Sequence, residues 1–212
     1  MELMVPDPHP LPNGLVIMFE GIDGAGKTTQ LELVQKALEE AGWPLMATRN
    51  LGGTPIGEAL RKVIKSPLER PPLTDLYISL AIQEPLLDII DQARKEGKVI
   101  LMDRGPLSLA AYQVHGTAID RETGWQQVAN GMDRIKPEAI ILYDIDMETA
   151  AERRQPDKAD YFEQQPAAYF QRVSEGYQEA VERYPATVID GTQSVVAVQE
   201  QTLAAVAKLL VA

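Results

Sequence analysis

Gly21-Ile22-Asp23-Gly24-Ala25-Gly26-Lys27-Thr28 satisfies GxxxxGK[ST] at every fixed position, and both flanks have the pattern that this loop requires. Leu15-Val16-Ile17-Met18-Phe19 precedes it as a short apolar run, which reads as a buried strand. Thr29 to Leu38 follows it with apolar residues at helical spacing. Strand, glycine loop and helix work together. The glycines let backbone N–H groups turn inward around phosphate oxygens, and the helix N-terminus adds its positive dipole end. Lys27 can then reach the outer phosphates, and the Thr28 hydroxyl can hold Mg²⁺. The stretch predicts a site for a nucleoside triphosphate.

Outward from the loop, apolar runs alternate with helical patterns. Strands are predicted at 15–20, 44–48, 98–103, 139–144 and 186–190. Helices are predicted near 28–41, 55–65, 74–95, 107–114, 121–135, 147–154, 164–183 and 194–211. Strands separated by helices imply an α/β fold of three layers, with a five-stranded parallel sheet covered on both faces. Ligands then sit beyond the carboxyl ends of the strands. Glu20, Arg49, Asp103 with Arg104, Asp144 with Asp146, and Asp190 end those strands, so one cleft is expected to collect them. Asp144 and Asp146 read equally well as helix caps. Asp103-Arg104 reads as a magnesium-orienting carboxylate beside a phosphate clamp.

Bulk properties narrow the classes. At 212 residues the chain suits one domain, with room for a small lid. With no cysteine, it has no disulfide, thiol nucleophile or cysteine-ligated metal. A net charge of −11 argues against a nucleic-acid partner but not against small phosphorylated ligands. Residues 1–14 carry four prolines and no basic or apolar leader pattern, so they read as a flexible tail before the domain at 15–212. No apolar run approaches a membrane span, which suggests a cytoplasmic protein without a membrane partner. His9 and His115 lack partners at metal-ligand spacing and read as ordinary surface histidines.

Several dispersed motifs, in one order, resemble the thymidylate kinase family of nucleoside monophosphate kinases. They are Phe19 to Gln30; Arg49 with Gly52-Gly53-Thr54-Pro55; Pro72-Leu73-Thr74-Asp75; Asp103-Arg104 with Ser108 and Ala111-Tyr112-Gln113; and Lys136-Pro137 into Leu142 to Asp146, with Arg153 beyond. The resemblance implies transfer of the γ-phosphoryl group of ATP to a nucleotide 5′-phosphate, dTMP by family likeness, with Mg²⁺. It places Gly21, Asp23, Gly24, Ala25, Gly26, Lys27, Thr28 and Thr29 around the donor phosphates and Arg153 against adenine. Asp190-Gly191-Thr192 would line the adenine side. Arg104 and Arg49 would grip the acceptor phosphate, while Thr28 and Asp103 would attend the metal. Asp23 would meet the acceptor's 3′-hydroxyl, and Gly53, Ser79, Gln83, Ser108 and Tyr112 would complete its site. It also implies a lid at about 150–165, with Arg154 or Lys158 reaching the transferring phosphate, and a homodimer packed through the helix around Leu76 to Leu87. Pro85, inside that helix, predicts a kink in it.

The departures cluster on one side. Arg49-Asn50-Leu51 stands where the family commonly has Arg-Glu-Pro, and Gly105-Pro106 follows its Asp-Arg. Counting from Thr74, Ser79 takes the place of the base-stacking aromatic and Gln83 that of the base-reading arginine, and Leu109 replaces a small polar residue. The phosphate machinery is whole while the base reader is rewritten, which predicts weakened or altered base specificity. A deoxynucleoside kinase and a non-catalytic ATP-binding module are the alternatives. Arg49 with Gly52-Gly53-Thr54 argues against the first, because a nucleoside brings no phosphate. The set of Lys27, Thr28, Asp103 and Arg104 argues against the second. Asp157-Lys158-Ala159-Asp160 only imitates a guanine-reading motif, since no buried strand precedes it.

Overall fold

The computed structural model of the protein describes residues 5–117, 119–153 and 161–211. Five strands, β1 (Leu15–Glu20), β2 (Leu45–Arg49), β3 (Val99–Asp103), β4 (Ala139–Asp144) and β5 (Thr187–Asp190), form a parallel sheet in the order β2-β3-β1-β4-β5. β1 is central and buried at every residue, as its unbroken apolar run requires of a strand covered on both faces. The edge strands β2 and β5 are largely half-buried or exposed. Eight α-helices connect and flank them among the described residues: α1 (Lys27–Glu40), α2 (Pro55–Ile64), α3 (Pro72–Lys95), α4 (Pro106–Leu109), α5 (Arg121–Ile135), α6 (Met147–Arg153), α7 (Ala167–Arg183) and α8 (Val195–Leu210). None is long and apolar enough to cross a membrane.

The register aligns the polar ends. Phe19 lies opposite Asp103, Asp103 opposite Arg49, and Asp144 opposite Asp190. After β1 the chain turns toward β2, whereas after β4 it turns toward β5. The two departing loops therefore diverge, and the crevice between them is where this sheet class binds ligands.

Three features depart from the sequence reading. The helix expected near 107–114 is divided: α4 passes into a π-helical segment (Ala110–His115), closed by Gly116 N–H bonding back to the Ala111 carbonyl. This wider turn packs on α7, where Gly176 makes room; a Cβ there would lie 2.7 Å from Ala111 Cα. His115 is not a surface residue. Its side chain is buried, 3.1 Å from Glu179 and edge-on to Trp125. Residues 5–14 of the expected tail lie against the body. Trp43 donates its indole N–H to the Pro6 carbonyl at 2.8 Å, and His9 packs edge-on to the same ring. Pro85 sits inside α3, which continues through it. Of the lid range, residues 154–160, and so Arg154 and Lys158, lie outside the described residues.

Candidate active site

The loop after β1 is held open by its glycines. Gly24 has φ +91, and a Cβ there would meet the Ala150 carbonyl at 3.0 Å. Gly26, the residue before α1, has φ +88, and a Cβ there would enter empty space. That space is the cradle expected of a phosphate-binding loop. Lys27 is buried beneath it and donates to the Ile22 carbonyl at 2.8 Å. Burial, then the neighbouring Arg104 charge, brings its pKa down to about 8 against the pull of Asp23, Asp103 and Glu20. An ammonium so poorly compensated is primed for an anion.

Thr28 follows and donates its hydroxyl to Asp103 Oδ2 at 3.0 Å. The other oxygen, Asp103 Oδ1, is buried without a hydrogen-bond partner. A hydroxyl and a carboxylate with an unused lone pair suit a hard, oxygen-seeking cation such as Mg²⁺. No group of three or more acidic, His or Cys side chains converges among the described residues. The rest of the coordination would therefore come from phosphate and water, which is how Mg²⁺ is usually held at such sites.

Two cavities meet at Asp23. The first runs along the loop and is lined by Asp23, Gly24, Ala25, Gly26, Lys27, Thr28, Thr29 and Gln30, then by Arg153, Gly191, Gln193, Val195 and Val198. Arg153 donates to the Gly191 carbonyl at 2.7 Å, so it walls the outer end of this cavity. Asp190 and Thr192 instead close their own turn, with Thr192 N–H and hydroxyl both on Asp190 Oδ1. The second cavity is lined by Asp23, Asn50, Leu51, Arg61, Lys65, Ser79, Gln83, Arg104, Ser108, Leu109, Tyr112, Gln113 and Phe162.

Arg104 stands between them. It is a non-glycine residue at φ +65, and its guanidinium has five partners. One nitrogen, Nη1, donates to the Gly21 carbonyl, Ser108 Oγ and the Tyr177 hydroxyl; the other, Nη2, donates to Asp23 at 2.6 Å and the Tyr112 hydroxyl. Burial works against ionisation of Asp23, but Arg104 and Lys27 outweigh it and hold the carboxyl well below the usual carboxylate range.

The structure therefore brings Asp23, Ser79, Gln83, Arg104, Ser108 and Tyr112 to one cavity, as expected. It does not bring Arg49 or Gly53 there. Arg49 makes a bidentate pair with Glu58, at 3.1 and 2.7 Å, and Gly53 N–H donates to the same carboxylate at 3.0 Å. Gly21 contributes its carbonyl to Arg104 rather than lining either cavity. Asp146 is the cap of α6, taking the Thr149 N–H at 2.7 Å.

The end of the second cavity expected to read a base also differs from expectation. The Ser79 hydroxyl turns back to the Asp75 carbonyl, as expected of a serine inside a helix. An aromatic wall is present nonetheless, because Tyr112 and Phe162 meet edge to face at 6.4 Å. Gln83 Oε1 receives Asn50 Nδ2 at 3.4 Å, and Gln113 is buried on the adjoining wall. Sequence reasoning missed Phe162, Asn50 and Gln113 as lining residues, as well as Tyr177 behind Arg104. Gln113 ends the quoted Ala-Tyr-Gln run, which was the available signal. Nothing local marks Phe162 or Tyr177.

Comparison with known proteins agrees with this geometry. The thymidylate kinase family profile matches residues 19–202. Thymidylate kinases from Pelotomaculum thermopropionicum and Symbiobacterium thermophilum are each 36% identical, covering 85% and 87% of this chain and 87% and 88% of their own. A solved thymidylate kinase from Ehrlichia chaffeensis superposes with a TM-score of 0.72 at 25% identity, over 92% of this chain and 99% of that one. A phosphate loop, an Asp-Arg pair and a second cavity meeting at Asp23, matched over most of both chains, place the protein: it belongs to the thymidylate kinase family.

Proposed function

We propose that the chain is an ATP-dependent nucleoside monophosphate kinase that converts dTMP and ATP to dTDP and ADP. The observation that carries this reading is the junction of the two cavities. Lys27 lies on one side, Arg104 on the other, and Asp23 is shared. Two polyanions meeting there need their charge neutralised and their reacting atoms aligned, which accounts for most of catalysis in phosphoryl transfer. Lys27 and the loop amides hold the donor phosphates, while Arg104 exchanges its Nη2 partners for the acceptor phosphate. Thr28 and Asp103 would hold Mg²⁺, which when bound supplies charge stabilisation at the donor phosphates. No side-chain nucleophile is needed, in keeping with a chain without cysteine.

The thymidylate kinase relatives support dTMP as acceptor, and carboxamides at Gln83 and Gln113 offer donors and acceptors suited to a pyrimidine edge. The lid at 150–165, a cytoplasmic location and a homodimer belong to the same reading. The pairing expected through the helix around Leu76 to Leu87 would have to use the residues of α3 that stay exposed. Leu76, Ile82, Leu86 and Leu87 are buried in the chain's own core. Any α3 pairing would use the opposite stripe of Leu73, Tyr77 and Ala81, which is exposed at helical spacing.

The test is ADP formation from ATP and Mg²⁺ with dTMP, dUMP, other monophosphates and thymidine, with Lys27→Ala as the blank. Preferred turnover of dTMP supports the proposal. Turnover of another monophosphate would reassign the substrate to the rewritten base pocket, and ATP binding without transfer would leave a non-catalytic module.

A further inference from the structure

Glu20 is fully buried at the end of β1, directly before the phosphate loop, and its carboxylate has four donors. Oε1 accepts the backbone N–H of Gly105 at 2.7 Å and of Ser108 at 3.3 Å. Oε2 accepts the Ser108 hydroxyl at 2.7 Å and the Tyr177 hydroxyl at 3.0 Å. All four partners favour the charged form, although burial keeps the pKa above the ordinary glutamate value. Buried charge of this kind is retained only where hydrogen bonds compensate it. The partners are also the surroundings of one other residue. Gly105 and Ser108 follow Arg104 in the chain, one and four residues on, and Tyr177 and Ser108 are two of its acceptors.

We propose that Glu20, acting through Tyr177 and Ser108, is the positioning residue that aims Arg104 at the acceptor phosphate. The two nitrogens of Arg104 differ in their surroundings. Nη2 meets Asp23 and Tyr112, both on the cavity wall and both exchangeable for phosphate oxygens. Nη1 meets the Gly21 carbonyl and Tyr177 from behind the cavity, and Ser108 at its edge. The Ser108 and Tyr177 hydroxyls lie 2.8 Å from each other and both reach Glu20 Oε2, and when the carboxylate takes both protons the two oxygens present lone pairs to Nη1. The guanidinium is thereby held by one edge, leaving the other for ligand. The same carboxylate fixes the loop in which Arg104 adopts φ +65, a conformation that side chains other than glycine hold only when their surroundings impose it. Three elements, β1, the loop after β3 and α7, are tied together at this point.

This inference rests on the kinase reading, and its test separates the two. Glu20→Gln keeps the shape, but its NH₂ must face either two backbone N–H groups or two hydroxyls whose protons then turn toward Arg104. Turnover and calorimetric titration with dTMP, or with whichever monophosphate the panel selects, are measured alongside ATP. The expected result is a loss of acceptor affinity of roughly tenfold to a hundredfold, with the KM for ATP within about twofold of wild type. Tyr177→Phe, which retains the ring, should lose about three- to tenfold on the acceptor alone, and it carries the test if Glu20→Gln does not fold. On an Arg104→Ala background neither change should weaken acceptor binding further, a non-additivity that a merely structural residue would not give. Equal losses for ATP and acceptor, no loss for the acceptor, or a full loss on the Arg104→Ala background would overturn the assignment. Acceptor binding without turnover in the wild type would instead sink the kinase reading, leaving the Glu20 comparison to be read from affinities. A wild-type chain that binds no monophosphate would overturn both.

Discussion

Lys27 shows at the scale of one residue how a motif becomes chemistry. Its pKa of about 8 lies below the unfolded value near 10.5. Between those two values the unfolded chain binds the extra proton, so this group makes the free protein more stable as pH rises through that window. Bound triphosphate has the opposite preference, because its oxygens need the ammonium. ATP affinity should therefore fall above pH 8, approaching tenfold per unit, and binding near pH 8 should take up a proton. Calorimetry in buffers of different ionisation enthalpy would detect that uptake, and a pH-independent affinity would contradict it. Lys27, Thr28, Asp103 and Arg104 were all legible in the sequence, the first two from spacing on the unit of β1, loop and α1, the other two from their place at the end of the buried strand β3. Arg49 was legible as a cation at a strand end, but its engagement by Glu58 was not. That pairing depends on how the loop at 50–54 returns α2 toward β2.

At the scale of elements, the glycine loop and α3 give the clearest tests. Gly26→Ala introduces strain at φ +88 of roughly 1–2 kcal/mol and puts a methyl group where nothing stands within 4 Å. Thermal unfolding should shift modestly, whereas ATP affinity should fall at least about tenfold because the methyl group enters the space for phosphate. Loss of both in proportion would mean that the residue matters only to the fold. Pro85 lies within the helix that carries Ser79 and Gln83 into the second cavity. Restoring an N–H with Pro85→Ala should stabilise the protein by about 1–3 kcal/mol, as read by thermal unfolding. The existence of the helices was plain from apolar spacing. The π-helical segment was not, since it arises where Ala111 and His115 press against Gly176 of α7. Nor was the aromatic wall. Phe162 reaches the cavity from the expected lid range, far in sequence from Ser79, where a ring was expected.

For the whole molecule, the exposed stripe of Leu73, Tyr77 and Ala81 sets an expectation about assembly. Sedimentation should find a dimer that Tyr77→Asp converts to monomer with catalysis per chain at its own site retained. A monomeric wild type would remove α3 from consideration. Alternation of strands and helices, glycine at the loop and charge at the strand ends determined the sheet class, the nucleotide site and the side of the sheet on which it lies. These features are local, carried by periodicity and by the backbone conformations that particular residues permit. Tertiary structure decided how the cations at the strand ends are paired. Glu58 takes Arg49, while Glu20 and Tyr177 hold one edge of Arg104 and leave the other to the cavity. Those pairings join residues far apart in the chain, and no sequence period records them. They exist only because the parallel register brings the strand ends together and α7 packs a phenol behind them.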